Sequence, residues 1–118
     1  MWWGPYSLYS PFQKSQMELK AQFDAAVAAS KLLPSKPSND ILLQLYSLYK
    51  QATEGDAGDD RPSNPFDFVG KAKHDAWSEQ KGKTTDTAMQ EYINLVKKLQ
   101  NWFYYLTILQ VRNSYMCL

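Results

Sequence analysis

Residues 38–55 have the sequence SNDILLQLYSLYKQATEG, in which apolar side chains recur at the spacing of an α-helix. One face of this helix carries Leu42, Leu45, Tyr46, Tyr49 and Thr53. Ser38 is the predicted N-cap, and Asp40 brings a carboxylate to the positive end of the helix dipole. Gly55 is predicted to end the helix. The stretch therefore predicts an amphipathic helix whose start and stop are both encoded locally.

Three other segments show helical spacing, and no segment alternates apolar and polar residues for long enough to predict a strand. The first is predicted to open with a capping box formed by Ser15 and Glu18 and to end before Pro34. A shorter third helix is predicted to end at Gly82, and Thr84 is the predicted N-cap of the fourth. The sequence therefore predicts an all-α protein of four helices.

The composition changes after Gln100, because Arg112 is the one charged residue of 101–118. Aromatic residues concentrate there and near the N-terminus, namely Trp102, Phe103, Tyr104 and Tyr105, and Trp2, Trp3, Tyr6, Tyr9 and Phe12. The C-terminal segment either continues the fourth helix, folds back, or pairs with another chain. We therefore divide the chain into an N-terminal extension at 1–16, a central domain at 17–100 and an apolar C-terminal extension at 101–118.

Composition excludes several classes of protein. The length of 118 residues suits a single domain, and 13 Lys and Arg against 12 Asp and Glu leave a net charge of +1. No field of the whole chain would therefore hold nucleic acid or an anionic membrane surface, and any anion must be met by a local cluster of charges. One cysteine, Cys117, forbids an internal disulfide, and one histidine, His74, leaves too few ligands for a structural zinc site. We expect no metal and a reducing compartment, the cytoplasm.

Neither a membrane span nor an enzyme is expected from the motifs. The longest apolar stretch, 102–109, is far shorter than the roughly 20 residues that a membrane-spanning helix needs. Pro5 and Pro11 interrupt an N-terminus that has no basic segment, so no secretory signal is expected. The sequence contains no nucleophile elbow, Walker loop or dinucleotide-binding glycine motif. We therefore do not expect an enzyme.

Tyr46 and Lys50 are four residues apart and Tyr49 is three from Tyr46, so a phenol and an ammonium share a helix face. Such a face suits a phosphate monoester with a flat base beside it. The alternative is that the tyrosines are half-buried core and the lysine stem covers them. Lysines cluster at Lys71, Lys73, Lys81 and Lys83, while the loop at 54–65 is acidic. This separation of positive and negative charge along the sequence is consistent with a small polyphosphate ligand. The alternative is that these charged side chains are solvated and bind no ligand.

Short motifs follow one another in order through the central domain. They are Pro37, Tyr46 to Thr53 (Tyr-Ser-x-Tyr-Lys-Gln-Ala-Thr), Gly55-Asp56, Arg61-Pro62, Asp67-Phe68, Gly70-Lys71-Ala72-Lys73, Asp75-Ala76-Trp77, Lys81-Gly82, Ala88-Met89 and Tyr92-Ile93. In this series, from Phe23 to about Leu99, the chain resembles the acyl-CoA-binding protein family, also called diazepam-binding inhibitor. The resemblance covers about two-thirds of the chain.

The resemblance implies an up-down-down-up four-helix bundle that binds, buffers and transports long-chain acyl-CoA esters. It implies that Lys50, Lys73 and Tyr46 hold the ribose 3′-phosphate of CoA. Tyr49 and Tyr92 match further site tyrosines, and Lys31 matches a lysine that reaches the head group. The acyl groove would be lined by Phe23, Ala26, Val27, Leu42 and Leu43.

The implied ligand is long-chain acyl-CoA itself, and no cofactor is implied. The implied partners are enzymes that use acyl-CoA, with transient membrane contact, and the chain would be a monomer or a dimer formed through its tail. An alternative function is a helical protein-interaction module or the precursor of a signalling peptide.

The chain departs from the family pattern in three places. His74 stands where members commonly have tryptophan, and the stretch Ser63-Asn64-Pro65-Phe66 is one residue longer than usual. The two extensions have no counterpart in the minimal domain. We expect their aromatic residues to pack on each other, on the bundle, between two chains or against a membrane, because exposed they would form a large apolar patch.

Overall fold

A computed structural model describes the backbone of residues 11–116 and the side chains of residues 15–109. The helices are α1 (Pro11–Ser30), α2 (Asn39–Glu54), α3 (Phe68–Glu79) and α4 (Thr85–Met116). Residues 11–116 contain no strand, which confirms the all-α prediction. The N-terminal aromatic residues Trp2, Trp3, Tyr6 and Tyr9, the Phe12 side chain and Cys117 lie outside the described part of the chain.

Local capping sets the ends of α2 and the start of α4. The Ser38 hydroxyl accepts a hydrogen bond from the Ile41 N–H at 3.4 Å, and Gly55 ends α2 at a φ of 83°, where only glycine is unstrained. The Thr84 hydroxyl accepts a hydrogen bond from the Thr87 N–H at 3.1 Å. The predicted caps at Ser38, Gly55 and Thr84 are therefore confirmed.

The predicted start of α1 was wrong. The helix begins at Pro11, so Ser15 lies inside it rather than at its N-cap. Proline suits a first helical position because that N–H has no intrahelical partner. Gln13 and Lys14 are good helix formers, so the helix continues through them and the Ser15–Glu18 pair does not act as a capping box.

Helices α1 and α4 run side by side in the same direction. Near their starts the Gln16 amide donates to the Asp86 carboxylate at 2.7 Å. Further along, the Tyr92 hydroxyl donates to the Ser30 hydroxyl oxygen at 3.1 Å. Pairs in the same order along both helices require a parallel arrangement.

Helices α2 and α3 are also parallel. The Lys73 ammonium lies 5.3 Å from the centre of the Tyr46 ring, and the Lys50 ammonium lies 4.7 Å from the centre of the Trp77 ring. Tyr46 of α2 thus meets Lys73 of α3, and four residues later on each helix Lys50 meets Trp77. The helix start at 39 and the helix start at 68 therefore lie at the same end of the bundle.

A buried glutamine joins the end of α2 to the start of α4. Gln51 is fully buried, and its amide donates to the Asp56 carboxylate and to the Lys83 carbonyl, each at 2.8 Å. The Gly82 N–H donates to the same Asp56 oxygen at 3.0 Å. Since the end of α2 meets the start of α4, these two helices are antiparallel. The three pairings together confirm the up-down-down-up order.

The core is built by α1, α2 and α4. Its buried members are Phe23, Ala26, Leu45, Leu48, Ala52, Ala88, Tyr92, Ile93 and Val96. Helix α3 contributes no fully buried residue and packs on α2 alone among the helices. The seam between α2 and α3 is therefore left accessible on the outside of the core.

Helix α4 continues well past the bundle. It runs without interruption through the C-terminal segment to Met116, as in the first of the three alternatives drawn from the sequence. Beyond Gln100 its large apolar side chains are exposed, with Trp102 at 61% and Tyr104 at 69%. Over the described residues, no helix has the length and apolar character needed to cross a membrane.

Candidate ligand-binding site

Three aromatic rings from three helices form a wall. Phe23 stacks on Tyr49 with ring centres 6.0 Å apart and meets Tyr92 edge-on at 5.2 Å. The Tyr49 and Tyr92 rings are 6.5 Å apart. Phe23 is only 1% exposed, whereas Tyr49 is 41% exposed. Phe23 therefore supports the two tyrosines from behind; Tyr49 is exposed on the outer side, whereas Tyr92 is itself only 4% exposed.

The outer face of this wall belongs to a cleft of about 490 Å³ between α1, α2 and α4, here the three-helix cleft. Its lining residues are Val27, Ser30, Lys31, Pro37, Leu42, Leu45, Tyr46, Tyr49 and Tyr92. Burial raises the pKa of the Tyr92 phenol, although its hydrogen bond to Ser30 opposes the shift. Tyr92 thus stays neutral near pH 7 and gives the cleft floor a fixed hydroxyl.

A second cavity, here the α2–α3 groove, has a volume of about 360 Å³. Its lining residues are Asn39, Leu42, Leu43, Tyr46, Phe68, Val69, Ala72 and Lys73. Leu42 and Tyr46 line both cavities, so they form the partition between them. Phe68 and Val69 are 71% and 66% exposed, which leaves the groove with an open apolar rim.

Two lysines extend over aromatic rings at the α2–α3 seam. Lys73 lies over Tyr46, and Lys50 lies over Trp77. The Trp77 indole N–H donates to the Gly55 carbonyl at 2.8 Å, which fixes the plane of that ring. Each ammonium is thereby held by the facing helix, with protons still available to an anion.

Lys50 also has an anionic partner on its own helix. Its ammonium pairs with the carboxylate of Glu54, one turn later, and this hydrogen bond raises the pKa of Lys50 against the opposing effect of desolvation. The Lys50 side chain is 22% exposed and that of Glu54 is 53% exposed. An incoming phosphate would therefore compete with Glu54 for the Lys50 ammonium.

The structure brings most of the residues named from sequence together. Those lining the three-helix cleft are Lys31, Tyr46, Tyr49, Tyr92, Val27 and Leu42. Leu43 and Lys73 line the α2–α3 groove. Lys50 lines neither cavity but lies one turn beyond Tyr46 at the same seam. Phe23 and Ala26 are in the core, because their face of α1 is covered by the other helices.

Sequence reasoning did not identify four residues of this region. Glu54 and Trp77 each lie four residues from a predicted site lysine, so helical spacing alone could have found them. Phe68 and Val69 gave no such signal, because an apolar pair at a helix start ordinarily packs into a core. Only their exposure beside the groove marks them.

His74 faces the acidic loop rather than either cavity. Its Nε2 is hydrogen-bonded to the Gly58 carbonyl at 2.8 Å, and neighbouring Asp75 holds Arg61 through two bonds of 2.8 and 3.0 Å. The Arg61 guanidinium lowers the pKa of the Asp75 carboxyl. The His74–Gly58 hydrogen bond and the Asp75–Arg61 pair thus fasten the loop to α3. Among residues 15–109, no group of His, Cys, Asp and Glu is arranged to hold a metal ion.

Comparison with known proteins matches residues 20–96 to the family model described as acyl CoA binding protein. The acyl-CoA-binding protein homolog 1 of Caenorhabditis elegans is 51% identical over 77 residues, covering 65% of this chain and 88% of that protein. The homolog of Drosophila melanogaster is 49% identical over 78 residues, covering 66% and 90%.

The crystal structure of Oryza sativa acyl-CoA-binding protein 2 has a TM-score of 0.72 at 38% identity, covering 76% of this chain and 97% of that one. Sequence and fold agree, since the matched residues 20–96 contain all of α2 and α3 and every buried residue of the core. The chain therefore belongs to the acyl-CoA-binding protein family.

Proposed function

We propose that this protein binds long-chain acyl-CoA esters, buffers their concentration and carries them to the enzymes that use them, without catalysing a reaction. The observation that carries the proposal is the position of Tyr46. It lines both cavities and has a lysine ammonium over its ring. A ligand that is polyanionic at one end and apolar at the other matches this junction.

In the proposed complex, the CoA head group lies at the seam and in the three-helix cleft. The 3′-phosphate accepts hydrogen bonds from the Tyr46 hydroxyl and from the ammonium groups of Lys50 and Lys73. Lys31, at the edge of the cleft, lies where it can meet another phosphate. Charge-assisted bonds of this kind are about twice as strong as neutral ones, which favours CoA over an uncharged head group.

The acyl chain is proposed to occupy the α2–α3 groove. The groove has an apolar lining whose side chains are not among the buried residues of the core. These are Leu42, Leu43, Phe68, Val69 and Ala72. Each buried methylene contributes about 0.8 kcal/mol at most, so a long chain gains much more than a short one. The groove thus supports a preference for long-chain esters, while the lysines supply selectivity for the phosphorylated head group.

Buffering and transport follow from a site that is open on one side. Lys73 is exposed and the rim residues Phe68 and Val69 are exposed, so a ligand can leave without unfolding of the bundle. The relatives bear the name acyl-CoA-binding protein, in keeping with binding as the activity. The exchange we propose belongs in the cytoplasm, since a lone cysteine is typical of a reducing compartment.

The proposal is tested by calorimetric titration with palmitoyl-CoA, its 3′-dephospho analogue and palmitate. We expect one-to-one binding of palmitoyl-CoA, weakened by about 1.5–3 kcal/mol when the 3′-phosphate is absent. Lys73→Ala should produce a loss of similar size for palmitoyl-CoA and almost none for the dephospho analogue. Lys83→Ala is the matched control, because Lys83 pairs with Glu91 and lines neither cavity.

Equal affinity for palmitate and palmitoyl-CoA would contradict the proposed head-group site. Absence of binding to every one of the three ligands would overturn the carrier function itself.

A further inference from the structure

The part of α4 that projects beyond the bundle exposes an unusual amount of apolar surface. From residue 102 to residue 109, six large apolar side chains are between 39% and 69% exposed, namely Trp102, Tyr104, Tyr105, Leu106, Ile108 and Leu109. Phe103 is half-buried, and Thr107 bonds back to the Phe103 carbonyl at 2.9 Å. These six side chains are here called the tail face.

The tail face is broad. At 3.6 residues per turn, its six side chains spread over about 200° of the helix circumference. A helix that packs against one partner helix needs only a narrow stripe of apolar residues. A face of this width is better matched by a medium that surrounds the helix on more than one side than by a single neighbour.

The charges around the tail face all have one sign. Residues 92–118 contain no Asp or Glu, and their charged side chains are Lys97, Lys98 and Arg112. Lys97 and Lys98 are exposed at the base of the tail face, and neither forms an ion pair with another of the side chains described. Along α4 from residue 92 onward, the tail face therefore has cations beside it and no carboxylate.

We propose that the tail face docks the protein on an anionic lipid surface, with α4 lying in the interface rather than crossing it. Trp102, Tyr104 and Tyr105 have the amphipathic rings that favour the headgroup level of a bilayer. Lys97 and Lys98 meet anionic headgroups, each contributing about a fivefold gain in binding. The positive charges beside the tail face and the width of that face together favour an anionic lipid surface as the binding partner.

A second copy of the chain fits these observations less well. Two tail faces packed in parallel would bring Lys97 and Lys98 of both copies close, and neither a parallel nor an antiparallel pair has a carboxylate in residues 92–118 to pair with them. Like charges at such an interface oppose association. A membrane with anionic lipids provides the missing negative charge.

The docked orientation has a geometric consequence for the cleft. Because α1 and α4 are parallel, the tail face projects from the end of the bundle at which α1 stops, near Ser30 and Lys31. Both residues line the three-helix cleft. The docked segment therefore adjoins that edge of the cleft. The docking itself does not depend on acyl-CoA binding.

The experiment is sedimentation of the full chain with vesicles of phosphatidylcholine alone or with roughly one-third phosphatidylserine. We expect stronger binding to the anionic vesicles and weakening by added salt. The double variant Trp102→Ser/Tyr105→Ser should reduce binding by about tenfold or more. Lys97→Gln/Lys98→Gln should remove most of the preference for phosphatidylserine.

Met17→Ser is the matched control, because Met17 is a large apolar residue that is 60% exposed near the start of α1, at the opposite end of the bundle from the tail face. Its vesicle binding should equal that of the wild type. Palmitoyl-CoA titration of each variant shows separately whether the bundle and its site are intact.

Three results would overturn the proposal. The first is that the wild type does not bind anionic vesicles. The second is that the Trp102/Tyr105 variant binds them as well as the wild type does. The third is that sedimentation velocity shows a dimer formed through the tail face while no protein binds to the vesicles. The last result would assign the tail face to a second copy of the chain.

Discussion

The Lys50 ammonium of α2 lies 4.7 Å from the centre of the Trp77 ring of α3, and one turn earlier the roles are reversed, with Lys73 of α3 over Tyr46 of α2. Each helix thus supplies one cation and one aromatic ring to the other. The two ammonium groups are held at the seam before any ligand arrives. Holding them there lowers the entropic cost of immobilising two lysine side chains around a phosphate.

Glu54→Gln should strengthen binding of palmitoyl-CoA. In the proposed complex, the carboxylate of Glu54 competes with the ligand phosphate for Lys50, and exposed pairs of this kind contribute about 0.2–1 kcal/mol. The affinity for palmitoyl-CoA should rise by a factor of about 1.4 to 5 by calorimetry. Glu91→Gln is the control, since Glu91 pairs with Lys83 away from both cavities. A loss of affinity in Glu54→Gln would show that Glu54 orients Lys50 rather than competing for it.

Trp77→Phe should lower both stability and phosphate selectivity. The substitution removes the indole N–H that bonds to the Gly55 carbonyl, which costs about 1 kcal/mol in the free energy of unfolding, measured by urea titration. It also weakens the contact that positions Lys50, so the difference in affinity between palmitoyl-CoA and its dephospho analogue should shrink. Trp102→Phe, at a residue 61% exposed, should leave both quantities unchanged.

Phe23→Ala should be among the most destabilising substitutions in α1. The ring is 1% exposed and packs on both Tyr49 and Tyr92, so its removal opens a cavity and should cost about 3–5 kcal/mol of unfolding free energy. Met17→Ala, on the same helix at 60% exposure, should change stability by less than about 0.5 kcal/mol. Similar losses from the two variants would mean that Phe23 does not support the aromatic wall.

Asp56 should make stability depend on acid pH. The Gly82 N–H and then the Gln51 amide bond to its carboxylate and lower its pKa in the folded protein. A lowered folded-state pKa means that this contribution is complete above the unfolded value of about 3.9 and is lost as pH falls through the folded-state pKa.

Asp56→Asn should therefore be less stable than the wild type at neutral pH, and the difference should narrow below about pH 4 in chemical denaturation. Asp59→Asn, in the same loop, should show no such narrowing, because no hydrogen bond to Asp59 is present among the described side chains. A constant difference at all pH values would show that the carboxylate charge of Asp56 is not the cause.

Short-range chemistry explains which features were predictable from sequence. The caps at Ser38, Gly55 and Thr84 depend on residues within three or four positions, so they could be predicted from spacing alone. The start of α1 could not, because Ser15 and Glu18 have the spacing of a capping box whether or not a helix already precedes them. Propensity at Gln13 and Lys14 outweighed the motif.

Tertiary covering explains what was missed at the site. Periodicity indicated that Phe23 and Ala26 lie on an apolar face of α1, but whether such a face lines a cavity depends on the other helices covering it. The competition between Glu54 and a phosphate depends likewise on the position of Lys50 over Trp77 in a different helix. The family resemblance identified the lysines and tyrosines of the candidate site, whereas the residues that contact them were identified only from the structure.

The partition formed by Tyr46 limits how this protein can evolve. Because one side chain belongs to both cavities, a substitution at Tyr46 cannot adjust the fit of one part of the ligand while leaving the other untouched. Mutations that retune chain-length preference independently must fall at apolar residues that line the α2–α3 groove but not the three-helix cleft, such as Leu43, Phe68, Val69 and Ala72. Mutations confined to the head group must fall at residues such as Lys31. Tyr46, like Leu42, is therefore a position where inherited variation is constrained by two requirements at once.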